Sequence, residues 1–205
     1  KGYEIPETGR AARGSHVVNL LPIEKDEKIS AMIRVDEVEN DSYLVMVTRN
    51  GTIKRTALSA YRNVRKGGII AINLEEGDEL AWVRNTTGED DLIIATRQGV
   101  AIRFAESDVR PMGRTATGVR AIRLDEGDEV IAMATCEEGG YLLTVTENGQ
   151  GRRTALGEYR TQNRGGRGVR NYDCIGKETL VAGVRVVGEE DDVILIADDG
   201  IIIRI

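Results

Sequence analysis

Arginine and glycine are concentrated in one stretch of this sequence, "YRTQNRGGRGVRNY", at residues 159–172. It contains four arginines and three glycines, and the first acidic residue after it is Asp173. Arginine offers a planar fork of N–H donors that binds phosphate at two points. Glycine lets the backbone approach a ligand closely and present its own amides. The stretch therefore has the chemistry of a phosphate-binding loop, although the chain has a net charge of -6.

Basic and acidic residues are separated along the chain with a regular spacing. Basic residues follow three glycine-containing turns, at 49–66, 97–123 and 152–170, and the whole chain has 22 arginines against 6 lysines. Acidic residues gather instead in turns such as "EEGDE" at 75–79 and "DEGDE" at 125–129. Basic clusters at equivalent positions predict a continuous belt that suits a polyanion. The alternative is that these arginines are ordinary surface residues paired with nearby carboxylates.

The elements that must position these arginines form an internal repeat. Glycine recurs in hairpin-like turns with spacings of 48, 50 and 51 residues, at Gly51, Gly99, Gly149 and Gly200. Asn-Gly and Asp-Gly turns favour β-hairpins because both positions tolerate a positive φ. Each unit of about 50 residues contains short β-branched runs and lacks a helical apolar stripe, which indicates four strands. The sequence therefore predicts an all-β, propeller-like disc of four-stranded blades.

The repeat also predicts the boundaries within a single domain, residues 1–205. We expect three complete units and two half units, at residues 43–91, 92–141 and 142–192 and at residues 1–42 and 193–205. The first half unit aligns with the loop and second hairpin of a unit, and the last aligns with a first hairpin. The two halves either close into one blade or are the ragged ends of a longer array.

Several classes of function are excluded by the remaining residues. Cys136, Cys174 and the single His16 are too few for a disulfide framework or a zinc site. No apolar run approaches the roughly 20 residues of a membrane span, and no signal segment follows Lys1. No acid, base or nucleophile stands in a catalytic pattern, so we expect neither catalytic nor metal-binding residues. We therefore expect a cytoplasmic protein with no membrane partner.

Longer motifs carry a resemblance to a known family. They are "RGSHVVNLLPIEKDEKISAMIRV", "NGTIKRTALSAYR", "GDELAWVRNTTGEDD", "RFAESDVRPMGRTATGVRAIRLDEGD" and "NGQGRRTALGEYRTQNRGGRG". In order and spacing they resemble the C-terminal DNA-wrapping domains of DNA gyrase A subunits. The resemblance covers essentially the whole chain. It implies a β-pinwheel, in which four-stranded blades exchange strands with their neighbours and duplex DNA bends around a basic perimeter.

The arginine- and glycine-rich stretch has a counterpart in that family. Residues Gln162–Gly168, "QNRGGRG", are similar to the heptapeptide called the gyrase A box and depart from it mainly at Asn163. The family's box lies in the first blade, whereas this copy lies in the third complete unit. The resemblance thus implies that the chain begins after the box-bearing blade. We expect this copy to be a second, box-like loop in a later blade.

The resemblance also implies the partners and the surrounding enzyme. The family supports ATP-dependent negative supercoiling by a type IIA topoisomerase, DNA gyrase, a heterotetramer of gyrase A and gyrase B polypeptides in the bacterial cytoplasm at the nucleoid. ATP and Mg²⁺ act elsewhere in the holoenzyme, so we expect no cofactor here, and we expect the fragment itself to be monomeric. The repeat and the resemblance together predict the following DNA-binding residues: Arg10, Arg13, Lys54, Arg55, Arg62, Arg65, Lys66, Arg103, Arg110, Arg114, Arg152, Arg153, Arg160, Gln162, Arg164, Arg167 and Arg170.

Two other interpretations stay open. One is the C-terminal domain of the topoisomerase IV equivalent, which tends to have fewer blades and no proper box. The other is a propeller-like protein-interaction module, in which the basic belt is incidental and a peptide binds the face of the disc.

Overall fold

The computed structural model describes residues 5–24, 27–33, 42–64 and 67–205. Its strands are β1 (Tyr43–Thr48), β2 (Thr52–Ala57), β3 (Leu80–Thr86), β4 (Asp91–Thr96), β5 (Val100–Ala105), β6 (Val119–Arg120), β7 (Val130–Thr135), β8 (Tyr141–Thr146), β9 (Gly151–Ala155), β10 (Val169–Arg170), β11 (Val181–Val187), β12 (Ile194–Ile196) and β13 (Ile202–Arg204). Short 3-10 turns occupy Val17–Asn19, Leu58–Tyr61, Glu106–Asp108 and Leu156–Glu158. None of the described residues forms a helix long and apolar enough to cross a membrane. The predicted all-β fold is confirmed.

The first and second sheets each take a strand from the unit that follows. The first sheet has the order β3-β1-β2-β6, although β6 belongs to the second repeat unit, and the second sheet has the order β10-β5-β4-β7, with β10 from the third unit. At one edge of the second sheet, β7 contacts the corresponding edge strands of the neighbouring sheets, β3 and β11, and we call this the inner edge. The exchanged strands β6 and β10 lie at the opposite, outer edges of their sheets. This arrangement is the strand exchange expected of a β-pinwheel.

The third sheet has three strands among the described residues, in the order β11-β8-β9, and β12 and β13 form a separate hairpin. The predicted unit boundaries stay a prediction. In the described parts of residues 1–42, the only regular element before residue 42 is the 3-10 turn Val17–Asn19. The rest of the predicted second hairpin, residues 34–41, lies outside the described residues.

Two apolar clusters join the three sheets, and β4 contributes to both. Leu92 and Ile94 belong to the cluster between the first and second sheets. Ile93 and Ala95 belong to the cluster between the second and third sheets. Successive side chains of a strand point to opposite faces, so a central strand with both faces covered is apolar at every position. The run "LIIA" therefore predicts a strand that is buried on both faces.

The hairpin turns also join neighbouring units, and this contact requires glycine. Gly99 has a φ of 85°, and a Cβ atom added to it would lie 2.4 Å from the carbonyl oxygen of Tyr172. Tyr172 itself donates its backbone N–H to the Gly99 carbonyl at 3.0 Å. At this turn glycine thus serves both the left-handed conformation and the close approach of the next unit, whereas a Cβ atom added to Gly149 would meet nothing within 4 Å.

Candidate nucleic-acid interface

Two loops run along the outer edges of the first and second sheets before they enter the exchanged strands. We call residues 110–118 the first perimeter loop and residues 160–168 the second perimeter loop. Met112 donates its backbone N–H to the Arg55 carbonyl at 2.8 Å, and Gln162 donates to the Arg103 carbonyl at the same distance. The two loops therefore leave the preceding sheet at equivalent points and form equivalent parts of the perimeter.

Arginine side chains are exposed along both perimeter loops and the strands that follow them. Among the described residues, no side-chain hydrogen bond or ion pair is made by four of these arginines: Arg110, Arg120, Arg160 and Arg167. Arg170 is exposed and lies 3.9 Å from a carboxylate oxygen of Asp173. Arg120 was not among the predicted DNA-binding residues, although its repeat position is that of Arg170. The strand register shows that Arg120 is equivalent to Arg170, because Arg120 pairs with Thr52 and Arg170 pairs with Val100, which occupies the same repeat position as Thr52.

The second perimeter loop, which contains the box-like stretch, lies flat against the unit before it. Gly165 donates its N–H to the Ala121 carbonyl at 2.6 Å, and the Gly166 carbonyl accepts the N–H of Arg123 at 2.8 Å. Arg164 donates from Nε to the Asp108 carbonyl at 2.9 Å and from Nη1 to the Arg120 carbonyl at 3.0 Å. Arg164 is thus half-buried and used to fasten the loop, whereas the exposed Arg167 is available to a ligand.

Gln162 and Arg114 also lie on the perimeter loops but are half-buried. The side-chain nitrogen of Gln162 is buried without a hydrogen-bond partner among the described residues. Arg114 donates from Nη1 to the Ile70 carbonyl at 3.1 Å, which joins the first perimeter loop to the chain of the first unit. Both side chains therefore lie at the base of the perimeter and not on its outermost surface.

Lys54 and Arg55 lie in the interior, away from the predicted belt. Lys54 has no exposed surface, and its Nζ donates to the carbonyls of Ala71, at 2.5 Å, and of Arg114. Burial, with a smaller contribution from the Arg114 charge, lowers the pKa of Lys54 to about 8. Arg55 is 7% exposed and lies 3.6 Å from the fully buried Glu106 carboxylate. Lys54 lies under the first perimeter loop, and the Arg55 guanidinium contacts Glu106, the Gly88 carbonyl and the Tyr43 ring, so we leave both out of the interface.

The arginines equivalent to Arg55 are also used within the protein. Arg103 donates to the Asp91 carboxylate at 2.7 and 2.9 Å and to the Leu156 carbonyl at 3.0 Å. Arg153 is exposed on β9 and stacks on the ring of Tyr141, with 4.4 Å from its Cζ to the ring centre. This repeat position fastens the hairpin of its own unit, and at Arg103 it also holds the next unit.

The remaining predicted residues are dispersed. Arg10 and Arg13 are exposed in the N-terminal described segment, Arg62 is exposed directly after the 3-10 turn Leu58–Tyr61, and Arg152 is exposed on β9. Arg65 and Lys66 lie outside the described residues. The structure thus brings together mainly the arginines of the two perimeter loops.

Acidic residues gather at a different place, where the hairpin turns meet the turns 75–79 and 125–129. Here Arg49 and Arg97 both lie within ion-pair distance of Glu129, at 3.3 and 3.1 Å, and Arg97 also reaches Glu147 at 2.5 Å. Arg49 further pairs with Glu79 at 3.3 Å. These alternating charges link three units, and they pair Arg49 and Arg97 with carboxylates.

Comparisons with known proteins agree with this architecture. A family model described as "DNA gyrase C-terminal domain, beta-propeller" matches residues 1–36, 42–87, 90–137 and 140–188. The DNA gyrase A polypeptide of Halalkalibacterium halodurans is 59% identical over 119 residues, and that of Clostridium acetobutylicum is 56% identical over 119 residues. Each match covers 58% of this chain but only 14% of the relative, so the chain spans a small part of those proteins.

Two solved structures are similar over nearly the whole chain. The C-terminal domain of a DNA topoisomerase IV has a TM-score of 0.91 at 29% identity and covers 99% of this chain and 64% of its own. A DNA gyrase A C-terminal domain has a TM-score of 0.80 at 25% identity and covers 94% of this chain and 65% of its own.

Proposed function

We propose that this chain, which belongs to the family of DNA gyrase C-terminal domains, binds duplex DNA and wraps it around its perimeter. The binding is without sequence specificity. One observation carries the proposal: exposed arginines recur at equivalent points of two successive perimeter loops, at Arg110 and Arg160, and of the short strands that follow them, at Arg120 and Arg170. A duplex that follows the outer edges of the sheets meets these guanidinium groups one blade after another.

The chemistry of the loops suits phosphate more than base edges. Arginine binds phosphate oxygens in a planar, bidentate geometry, and contacts of this kind fix DNA without reading its sequence. DNA that bends from blade to blade also has a deformation cost that depends on its flexibility. Sequence preferences should therefore follow DNA flexibility, with little discrimination between base pairs of similar stiffness.

In the holoenzyme, the same surface holds the DNA segment that the enzyme passes through its cleavage gate. The wrap gives that segment a defined crossing sign, which ATP-driven strand passage converts into negative supercoils. This part of the proposal places the chain beside the rest of the gyrase A polypeptide and in one assembly with the gyrase B polypeptide. Cleavage and ATP hydrolysis are carried out by other parts of that assembly.

A second candidate is the corresponding domain of topoisomerase IV. It is favoured by the structural likeness to the topoisomerase IV domain, which has a TM-score of 0.91. Both candidates bind DNA through the perimeter, but they differ in whether the DNA is wrapped. A shift in DNA linking number on binding supports the gyrase-type function, and binding without that shift supports the second candidate.

The test of DNA binding is a pair of double variants that remove equal charge. Arg110→Gln with Arg160→Gln changes two equivalent perimeter positions, and Arg49→Gln with Arg97→Gln changes two equivalent positions among the acidic turns. Affinity for a linear duplex is measured across a salt series. Each lost phosphate contact lowers the salt slope by about 0.9, so the perimeter variant should lose about two units and the control almost none. Equal losses in both variants would contradict a perimeter path.

A further inference from the structure

The two perimeter loops are attached to the preceding unit in different ways. At the second loop, the Ala121 carbonyl accepts the backbone N–H of Gly165 directly, at 2.6 Å. Gly165 has a φ of 77°, and a Cβ atom built on Gly166 would lie 3.6 Å from the Ile102 side chain. The left-handed conformation of Gly165 therefore favours glycine at this point, where the loop backbone lies on its neighbour beside an apolar side chain.

The first perimeter loop has no glycines at these positions, where Thr115 and Ala116 stand instead. Asn73 still donates to the Ala116 carbonyl, as Arg123 does to that of Gly166. The Ala71 carbonyl, which corresponds to that of Ala121, accepts no N–H from residues 110–118 and is bound instead by Nζ of Lys54.

Lys54 occupies the repeat position of Ile102 and bridges the gap that the missing glycines leave. Its ammonium group joins the carbonyl of Ala71 in the first unit to that of Arg114 in the second, and no ion pair with a carboxylate is found for it among the described residues. Burying an ammonium group costs free energy that an isoleucine avoids, and hydrogen bonds to two carbonyls offset part of that cost. A lysine at this position therefore indicates a task that the isoleucine cannot perform.

We propose that Lys54 is a positioning residue for DNA binding, which holds the first perimeter loop in place without touching DNA. By fixing the backbone at Arg114, it holds the loop that carries Arg110 and aligns the exposed Arg110 with the exposed Arg160 on the next blade. This role rests on the proposed DNA-binding function. It also explains a lysine that is basic by type but has no exposed surface.

The experiment converts one kind of attachment into the other in the full 205-residue chain. Lys54→Ile installs the side chain of the second junction without its glycines, and the triple variant adds Thr115→Gly and Ala116→Gly. Ile93→Val, in the core, is the control for a general loss of stability. Lys54→Met replaces Lys54→Ile if the latter does not fold. The readouts are amide hydrogen exchange of residues 110–118 and the salt slope of duplex binding.

Lys54→Ile should speed exchange in the first perimeter loop and lower the salt slope by about one unit, because Arg110 leaves its position. The triple variant should restore both readouts, and Ile93→Val should leave the slope unchanged. If the unaltered chain does not bind DNA, the proposed function itself fails. If it binds and Lys54→Ile keeps the full slope, or Ile93→Val lowers the slope equally, or the glycines restore nothing, the positioning role is overturned.

Discussion

Gly168 and Gly149 both have left-handed backbone conformations, but only Gly168 faces another strand. Their φ angles are 75° and 78°. A Cβ atom added to Gly168 would lie 2.5 Å from the carbonyl oxygen of Ala101, whereas one added to Gly149 would meet nothing within 4 Å. The pair therefore separates the cost of the backbone conformation from the cost of disturbing the exchanged strand β10.

The expected magnitudes follow from these two costs. An alanine in a left-handed conformation costs roughly 1–2 kcal/mol, and the smaller backbone entropy of its unfolded state returns part of this. Gly149→Ala should therefore lower the free energy of unfolding by about 1 kcal/mol. Gly168→Ala must also displace β10 from β5, which adds about 2 kcal/mol by analogy with overpacked cores, for a total of about 3 kcal/mol.

Equilibrium unfolding in urea, followed by far-ultraviolet circular dichroism, measures both variants. Thermal unfolding gives a second estimate, since about 1 kcal/mol corresponds to roughly 2–4 °C in a chain of this size. Equal losses in the two variants would refute the reasoning, because the contact with Ala101 would then contribute nothing. A larger loss in Gly149→Ala would refute it outright.

Three further changes test other parts of the fold. Glu178 has a φ of 48°, in a turn in which Thr179 donates its N–H to the Cys174 carbonyl. Because glycine adopts this left-handed conformation without strain, Glu178→Gly should raise the free energy of unfolding by about 1 kcal/mol in urea titrations. Glu106→Gln should lower the free energy of unfolding by about 3 kcal/mol, because it leaves the Arg55 guanidinium buried without a counter-charge. Asp91→Asn, beside the more exposed Arg103, should lower it by about 1 kcal/mol. Equal losses would contradict this effect of burial. The pKa of Lys54 is lowered from 10.5 to about 8 in the folded chain, so the unfolded chain binds more protons between these two pH values. The free energy of unfolding, measured relative to that of Lys54→Met, should therefore rise by about 2 kcal/mol from about pH 7.5 to about pH 10. Arg114 and Tyr61, the charged and titratable groups beside Lys54 in the described residues, are present in both proteins, so a constant difference across this range would contradict a lowered pKa.

Much of the fold could be predicted from local sequence signals. The glycine turns, the apolar run "LIIA" and the spacing of about 50 residues indicate the hairpins and their repetition. The exchange of β6 and β10 could be anticipated only from the family resemblance. These strands have two residues each and pair across unit boundaries, so they carry no local pattern of their own.

The repeat predicts where the basic residues recur along the chain, but it does not predict which of their side chains are exposed. Alignment of the repeat gives Lys54, Ile102 and Arg152 the same position, but it does not reveal what the next unit places above each of them. The first perimeter loop covers Lys54, and Arg152 is exposed because no described strand lies outside β9. Arg55, Arg103 and Arg153 likewise share a register, and their burial depends on contacts with distant residues.

The central claim is that the perimeter arginines wrap duplex DNA, and DNA topology tests it most directly. Nicked, and therefore relaxed, circular DNA is sealed by ligase in the presence of increasing amounts of the chain. The linking number of the product is determined after the protein is removed. We predict a shift in linking number that grows with the amount of protein and disappears in Arg110→Gln with Arg160→Gln at the same protein concentration. Binding of the unaltered chain without any shift would contradict wrapping.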